Sequence, residues 1–248
     1  MSVETEADMQ GLLAAGRVVR AALDAMAAAV RPAITTAELN ELGAAVLRRL
    51  GARSAPMLVY RFPAETCISV NDEIVHGIPG DRVLREGDLV KLDVTVEKDG
   101  YMADAALTVP VGRTPESALA VAACARRALA SALRAARSGA RLNEIGRAVS
   151  REARRSGLSV VRDLDGHGIG RTIHEEPRVP NRFDPAARQR LARGLVLAVE
   201  PMITSGSGRV VEARDGWTVL TADGAPAAHF EQTIVVMDGP PVILTAAA

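Results

Sequence analysis

Four carboxylates stand where apolar strands are expected. Asp93 lies in "VKLDVTVE", Asp104 in "MADAALTV" and Glu231 in "HFEQTIVVM", and Glu200 ends the near-continuous apolar run "GLVLAVEP". A carboxylate in a buried strand is costly unless it is paired, protonated or ligated. Between the first two acids, "EKDG" reads as a hairpin turn ending in Gly100. A hairpin centred on Lys98–Asp99 puts Asp93 and Asp104 opposite each other, or within one residue of it, on one face of the sheet. Acids so placed repel, and a cation or a shared proton must compensate.

The stretch "GHGIGRTIHEEP" (Gly166–Pro177) adds two of the chain's four histidines. Its glycines do not fit the spacing of a dinucleotide-binding loop. It reads as a glycine-rich turn that lets backbone approach closely. Oxygen donors from Asp93, Asp104, Glu200 and Glu231 with the one imidazole of His167 suit Mn, Fe, Co or Zn. These donors are too many for one zinc. They suffice for two ions about 3.5–4 Å apart that share carboxylates, a centre that activates water for hydrolysis.

These residues need a scaffold, and the sequence repeats one. "AELNELGAAVLR" (Ala37–Arg48) and "ARLNEIGRAVSR" (Ala140–Arg151) align without gaps, with eight of twelve positions identical. Each follows a longer Ala/Leu/Arg helix pattern, Ala7–Val30 and Pro115–Arg137, with Pro115 near the first helical position. Each ends in Arg then Gly, a helix C-terminus signal. Strand-type segments follow each helix pair: "CISVN" and "LVKLDVTV…MADAALTVPV", then "GLVLAVEP", "WTVL" and "HFEQTIVVM". The expected fold class is α+β. Residues 1–248 form one domain of two related halves, about 1–112 and 113–248, with strands in a shared central sheet and helices outside.

Composition narrows the function. The 30 basic and 30 acidic residues balance, so no net field favours nucleic acid or an anionic membrane. Cys67 and Cys124 are too few for a disulfide framework. The acidic start "MSVETEADMQ" lacks the order of a signal peptide. A cytoplasmic protein is expected.

The stretches "CISVNDEIVHGIP" (Cys67–Pro79), "GDLVKLDVTVEKDGYMADAALTVPVG" (Gly87–Gly112), "GHGIGRTIHEEP", "VEPMI" (Val199–Ile203) and "DGWTV…HFEQTIVV" (Asp215–Val236) resemble, in order and spacing, the type I methionine aminopeptidases. Those are metallopeptidases of the pita-bread fold, and the resemblance spans essentially the whole chain. It implies that Asp93 holds one metal, that Asp104 and Glu231 bridge, and that His167 and Glu200 hold the second. Glu200 also accepts a proton from the attacking water. His76 meets the scissile amide, and His174 hydrogen-bonds the substrate carbonyl and its oxyanion. Val59, Phe62, Cys67, Ile173 and Trp217 line the methionine pocket. The implied cofactors are two divalent ions (Co, Mn, Fe or Zn). The implied reaction is release of N-terminal methionine before a small second residue.

Nascent polypeptide N-termini are then the partners of a monomer, with association with the ribosome left open. Pro56, Val59, Ile173, Gln232 and Ala105–Ala106 depart from residues common in the family, which touches the pocket edge rather than the ligands. His229 is expected to be structural or at the surface. The rival readings are an Xaa-Pro aminopeptidase on the same fold, a metal-free binding module and a nucleotide binder.

Overall fold

Two threonines start the first two helices. In this computed structural model, which describes residues 1–246, Thr5 and Asp8 form a capping box at the start of α1 (Glu6–Ala29), and Thr35 and Glu38 form another at α2 (Thr36–Arg49). The chain continues through β1 (Arg53–Ser54), the short helix α3 (Ala55–Tyr60), β2 (Cys67–Val70), β3 (Glu73–Val75) and the long hairpin β4 (Leu89–Lys98) and β5 (Tyr101–Pro110). A second helix pair follows, α4 (Glu116–Ala135) and α5 (Asn143–Arg155). Then come β6 (Ser159–Val160), β7 (Gly166–Gly168), β8 (Glu175–Val179), β9 (Val196–Val199), β10 (Met202–Thr204), β11 (Val210–Glu212), β12 (Val219–Thr221), β13 (Ala227–His229), β14 (Gln232–Val235) and β15 (Val242–Ile243).

The named strands pair antiparallel, and the helices cover them, as expected of the α+β class. β4 pairs with β1, β2 and β5, while β15-β14-β9-β7-β8 form a five-stranded sheet. Val18, Leu23 and Met26 of α1 and Leu39 of α2 bury against Leu92 and Val94 of β4. Val121 and Leu129 of α4 and Ile145 and Val149 of α5 bury against Leu197, Val199 and Ile234. Each fully buried side chain of this size contributes about 1.5–3 kcal/mol. Among the described residues no helix is long and apolar enough to cross a membrane.

The repeated segments fall on α2 and α5, but the second helix starts later. Thr35 and Glu38 correspond to Ser138 and Arg141, so the capping box is lost, and α5 begins only at Asn143 without a side-chain cap. Both copies keep a glycine within the helix for a spatial reason. A methyl on Gly43 would press on the Met26 thioether and the Thr66 methyl, and one on Gly146 would overlap the carbonyls of Arg182 and Pro180. Pro115 stands at the N-cap of α4, one residue before the first helical position.

Three further expectations shift. The hairpin turns on Asp99–Gly100, both with positive φ (51° and 83°), the requirement of a type I′ turn. Asp93 therefore faces Ala106, and Asp104 faces Thr95. The two acids are diagonal neighbours and not direct partners. Moving the turn by one residue displaces the pairing by two, so the period-two alternation still leaves both on one face. The "GHG" of the glycine-rich stretch is not a turn but strand β7, between β8 and β9. Its glycines admit neighbouring backbone, since a methyl on Gly166 would meet the Ala198 carbonyl and one on Gly168 the Glu176 carbonyl. The run "HFEQTIVVM" is two strands, broken at Phe230–Glu231.

That break is stitched to β5. The Glu231 N–H donates to the Ala106 carbonyl at 2.9 Å. On one side, the Asp104 N–H donates to Thr233 Oγ1 (2.9 Å), and that hydroxyl donates to the Asp104 carbonyl (2.7 Å). On the other, the His229 N–H donates to Thr108 Oγ1 (3.0 Å), and that hydroxyl donates to the His229 carbonyl (2.7 Å).

Candidate metal centre and substrate cavity

The stitch brings together carboxylates from strands far apart in sequence. Asp93 on β4, Asp104 on β5, His167 on β7, Glu200 just after β9 and Glu231 between β13 and β14 all line one cavity of about 650 Å³. Asp104, His167, Glu200 and Glu231 are buried. The Asn181 amide donates to the Glu200 carbonyl at 3.0 Å, which fixes the backbone beyond β9.

The electrostatics are those of anions withheld from water. Burial pushes the Asp93, Glu200 and Glu231 carboxyls well above their ordinary range, and the charge of Asp104 pushes each further. Asp104 itself rises to about 6, again through burial, against opposing hydrogen bonds from Thr95 and Asp93. Asp104 Oδ1 and Glu231 Oε1 are buried with no hydrogen-bond partner among the described residues. Native proteins rarely leave such atoms unpaired.

Divalent cations fit here. Donor atoms of Asp104, His167 and Glu231 lie within 4.8 Å of one another, as do those of Asp93, His229 and Glu231, so Glu231 belongs to both groups. His167 is prepared as a donor. Its Nδ1 lies 2.9 Å from the Gly168 carbonyl. A carbonyl can only accept, so Nδ1 carries the proton and Nε2 keeps its lone pair, 3.4 Å from Glu200 Oε1. Burial, then the neighbouring His174, lowers the His167 pKa to about 4, so the ring is neutral at pH 7.

The rest of the cavity is apolar on one side. Phe62 packs edge-on against Trp217, ring centroids 5.2 Å apart, with buried Cys67 in the same cluster. Buried Ile173 and partly exposed Pro56 complete the wall. His76 and His174 both line the cavity and stay accessible to solvent. His76 has a positive φ of 59°, a backbone conformation that favours glycine.

Val59 does not join them. It is 43% exposed on α3 and stands outside the cavity lining. α3 is only six residues long, and beside Pro56 the side chain it turns toward the cavity is the next one after Val59, Tyr60. The Tyr60 hydroxyl lies 2.6 Å from His174 Nδ1. Sequence reasoning passes over Tyr60 because its partner is 114 residues away. Of the two places expected for His229, the surface is excluded, since it is 1% exposed and lies beside the acids. Its position two residues before Glu231, the period that shares a strand face, already put it on the side of that acid.

The chain is similar to known metallopeptidases over its whole length. Residues 10–238 match the model of metallopeptidase family M24. Methionine aminopeptidase 2 of Bacillus subtilis is 41% identical over 247 residues, covering 99% of each chain. The crystal structure of methionine aminopeptidase from Rickettsia prowazekii superposes with a TM-score of 0.94 at 36% identity, over 99% of this chain and 100% of the other. That of methionine aminopeptidase from Thermotoga maritima also gives 0.94, at 35% identity over 100% of both.

Proposed function

The chain belongs to metallopeptidase family M24, and on that premise we propose that it is a methionyl aminopeptidase, which hydrolyses the first peptide bond of nascent proteins and peptides that begin with methionine and have a small second residue. One observation carries this reading. Four carboxylates and an imidazole, all buried except the half-buried Asp93, open onto an apolar cavity that two accessible histidines face. Full-length relatives named for the same activity support it.

Asp93 would hold one divalent ion, His167 and Glu200 would hold a second, and Asp104 and Glu231 would be shared between them. Bound there, the metal pair supplies Lewis-acid polarisation of a carbonyl and a lowered pKa for water. Phe62, Cys67, Ile173 and Trp217 receive the methionine side chain, whose unbranched thioether adapts to an irregular apolar wall. Val59 has no place in this assignment, and Tyr60 takes its place beside the substrate.

Glu200 takes the proton from the attacking water. Its proton affinity is raised by burial and by the charges of Asp104 and Asp93, which suits a base. His174 donates a hydrogen bond to the substrate carbonyl as its oxygen gains charge, a contribution that grows toward the transition state. Tyr60 sets the tautomer for this. With its hydroxyl donating to Nδ1, the His174 proton sits on Nε2. His76, which also lines the cavity, meets the scissile amide.

On this reading the protein works in the cytoplasm as a monomer on nascent polypeptide N-termini, with no nucleic acid or membrane partner. Two buried free cysteines suit a reducing compartment. Ribosome association is compatible with that substrate. The internal repeat supports one domain of two related halves. Release of the first residue from Met-Ala-Ser, Leu-Ala-Ser and Ala-Ala-Ser tests the specificity. Met-Ala-Ser is expected to be fastest, and faster release of leucine than methionine would sink the proposal.

A further inference from the structure

The fourth histidine has no role in the assignment above, and its surroundings demand one. His229 ends β13 with its backbone held on both sides by the Thr108 hydroxyl. Its ring is 1% exposed, and neither ring nitrogen has a hydrogen-bond partner among the described residues. A histidine buried for structural reasons is ordinarily hydrogen-bonded. The Nε2 atom instead faces two carboxylates, 3.6 Å from Glu231 Oε2 and 3.8 Å from Glu200 Oε2. Both separations exceed the roughly 2.7–3.2 Å of a hydrogen bond. The separation from Glu231 is what two donors show when each sits about 2.0–2.2 Å from one shared ion, since such atoms lie about 3–3.6 Å apart.

We propose that His229 is a metal ligand, the nitrogen donor to the ion held by Asp93 and Glu231. The inference rests on the metal-centre reading above and adds a donor to it. The donor atoms of Asp93, His229 and Glu231 lie within 4.8 Å of one another, as do those of Asp104, His167 and Glu231. Each ion then has one imidazole, His229 on one side and His167 on the other, with Glu231 shared. The consequence is metal choice. Imidazole favours Zn, Co and Fe over Mn more strongly than an oxygen donor does, so His229 biases its position toward the later metals.

The experiment uses the metal-free full chain, wild type and His229→Gln, titrated separately with Co(II), Zn(II) and Mn(II) by calorimetry. Proton NMR of the Co(II)-loaded wild type needs no variant, because each ligating imidazole gives its own strongly shifted N–H signal. Two shifted imidazole N–H signals are expected in the wild type and one in His229→Gln. The variant is also expected to bind one of its two ions at least ~10-fold more weakly, with a larger loss for Co(II) and Zn(II) than for Mn(II). A single shifted imidazole signal in the wild type, or unchanged affinities and spectrum in the variant, overturns the assignment of His229 and leaves the five-ligand centre standing. A wild type that binds none of the three ions overturns both.

Discussion

Glu231 donates its backbone N–H to the carbonyl of Ala106, and Ala106 is the β-register partner of Asp93. One alanine thus sits between the acids of two distant segments and sets their separation. Its small side chain matters, because Ala106 is 2% exposed and leaves the volume beside Asp93 to donor atoms. Backbone pairing therefore holds the acids of the two segments side by side. Such preorganisation is what a site of mutually repelling carboxylates requires.

Thr233 closes this stitch with two hydrogen bonds to the backbone of Asp104. Thr233→Val keeps the shape and removes both. Unfolding in denaturant is expected to show a loss of about 1–3 kcal/mol, with weaker Co(II) binding because Asp104 is less firmly placed. Unchanged stability and unchanged metal affinity would mean that the stitch does not position Asp104.

Tyr60→Phe removes the hydroxyl that meets His174 Nδ1. A hydrogen bond of this kind contributes about 1 kcal/mol, so kcat for Met-Ala-Ser is expected to fall about 5–10-fold with KM changed less. The aromatic wall is preserved, so a rise in KM alone would assign Tyr60 to substrate packing and not to the orientation of His174.

The two repeat glycines separate in the same way. Gly146→Ala drives a methyl into backbone carbonyls, which cannot move aside, whereas Gly43→Ala meets the movable end of Met26. Thermal unfolding should show the larger loss for Gly146→Ala. The reverse order would contradict the packing described.

Lys91 is buried beside the cluster, and its ammonium donates to the Asn71 carbonyl at 2.8 Å. Burial lowers its pKa to about 7 against weaker opposition from Glu73 and Asp72. Between pH 7 and its unfolded value near 10.5, the unfolded chain binds the extra proton, so wild-type stability gains from this residue as pH rises. The Asn71 carbonyl also accepts from the Ala227 N–H, so it keeps a partner without Lys91. Lys91→Met is therefore expected to raise the Tm at pH 7, with an advantage that shrinks toward pH 10. Destabilisation at every pH would show that the ammonium is needed.

The helices, the hairpin and the acids were legible because each is a local pattern. Asp93, Asp104 and Glu200 are polar residues set in apolar periodicity, and that contrast needs no tertiary information. The exact pairing of Asp93 was not legible, because one residue of ambiguity in the Lys98–Asp99–Gly100 turn changes every partner while preserving the face. The places of Tyr60 and His229 were not legible for another reason, since they are set by contacts across more than a hundred residues, Tyr60 with His174 and the His229 backbone with Thr108. The glycines of β7 looked like a turn because close backbone approach from two neighbouring strands leaves the same signature as a bend.

The central claim is that Asp93, Asp104, His167, Glu200 and Glu231 hold a metal pair at which methionine is released. It is tested most directly by methionine release from Met-Ala-Ser by metal-free protein as Co(II) or Mn(II) is added back, beside Glu200→Ala. Negligible release is expected without metal, with recovery on addition and a loss of at least about 100-fold in Glu200→Ala, whose base and ligand are both gone. Full release by metal-free wild type, or undiminished release by Glu200→Ala, would contradict it.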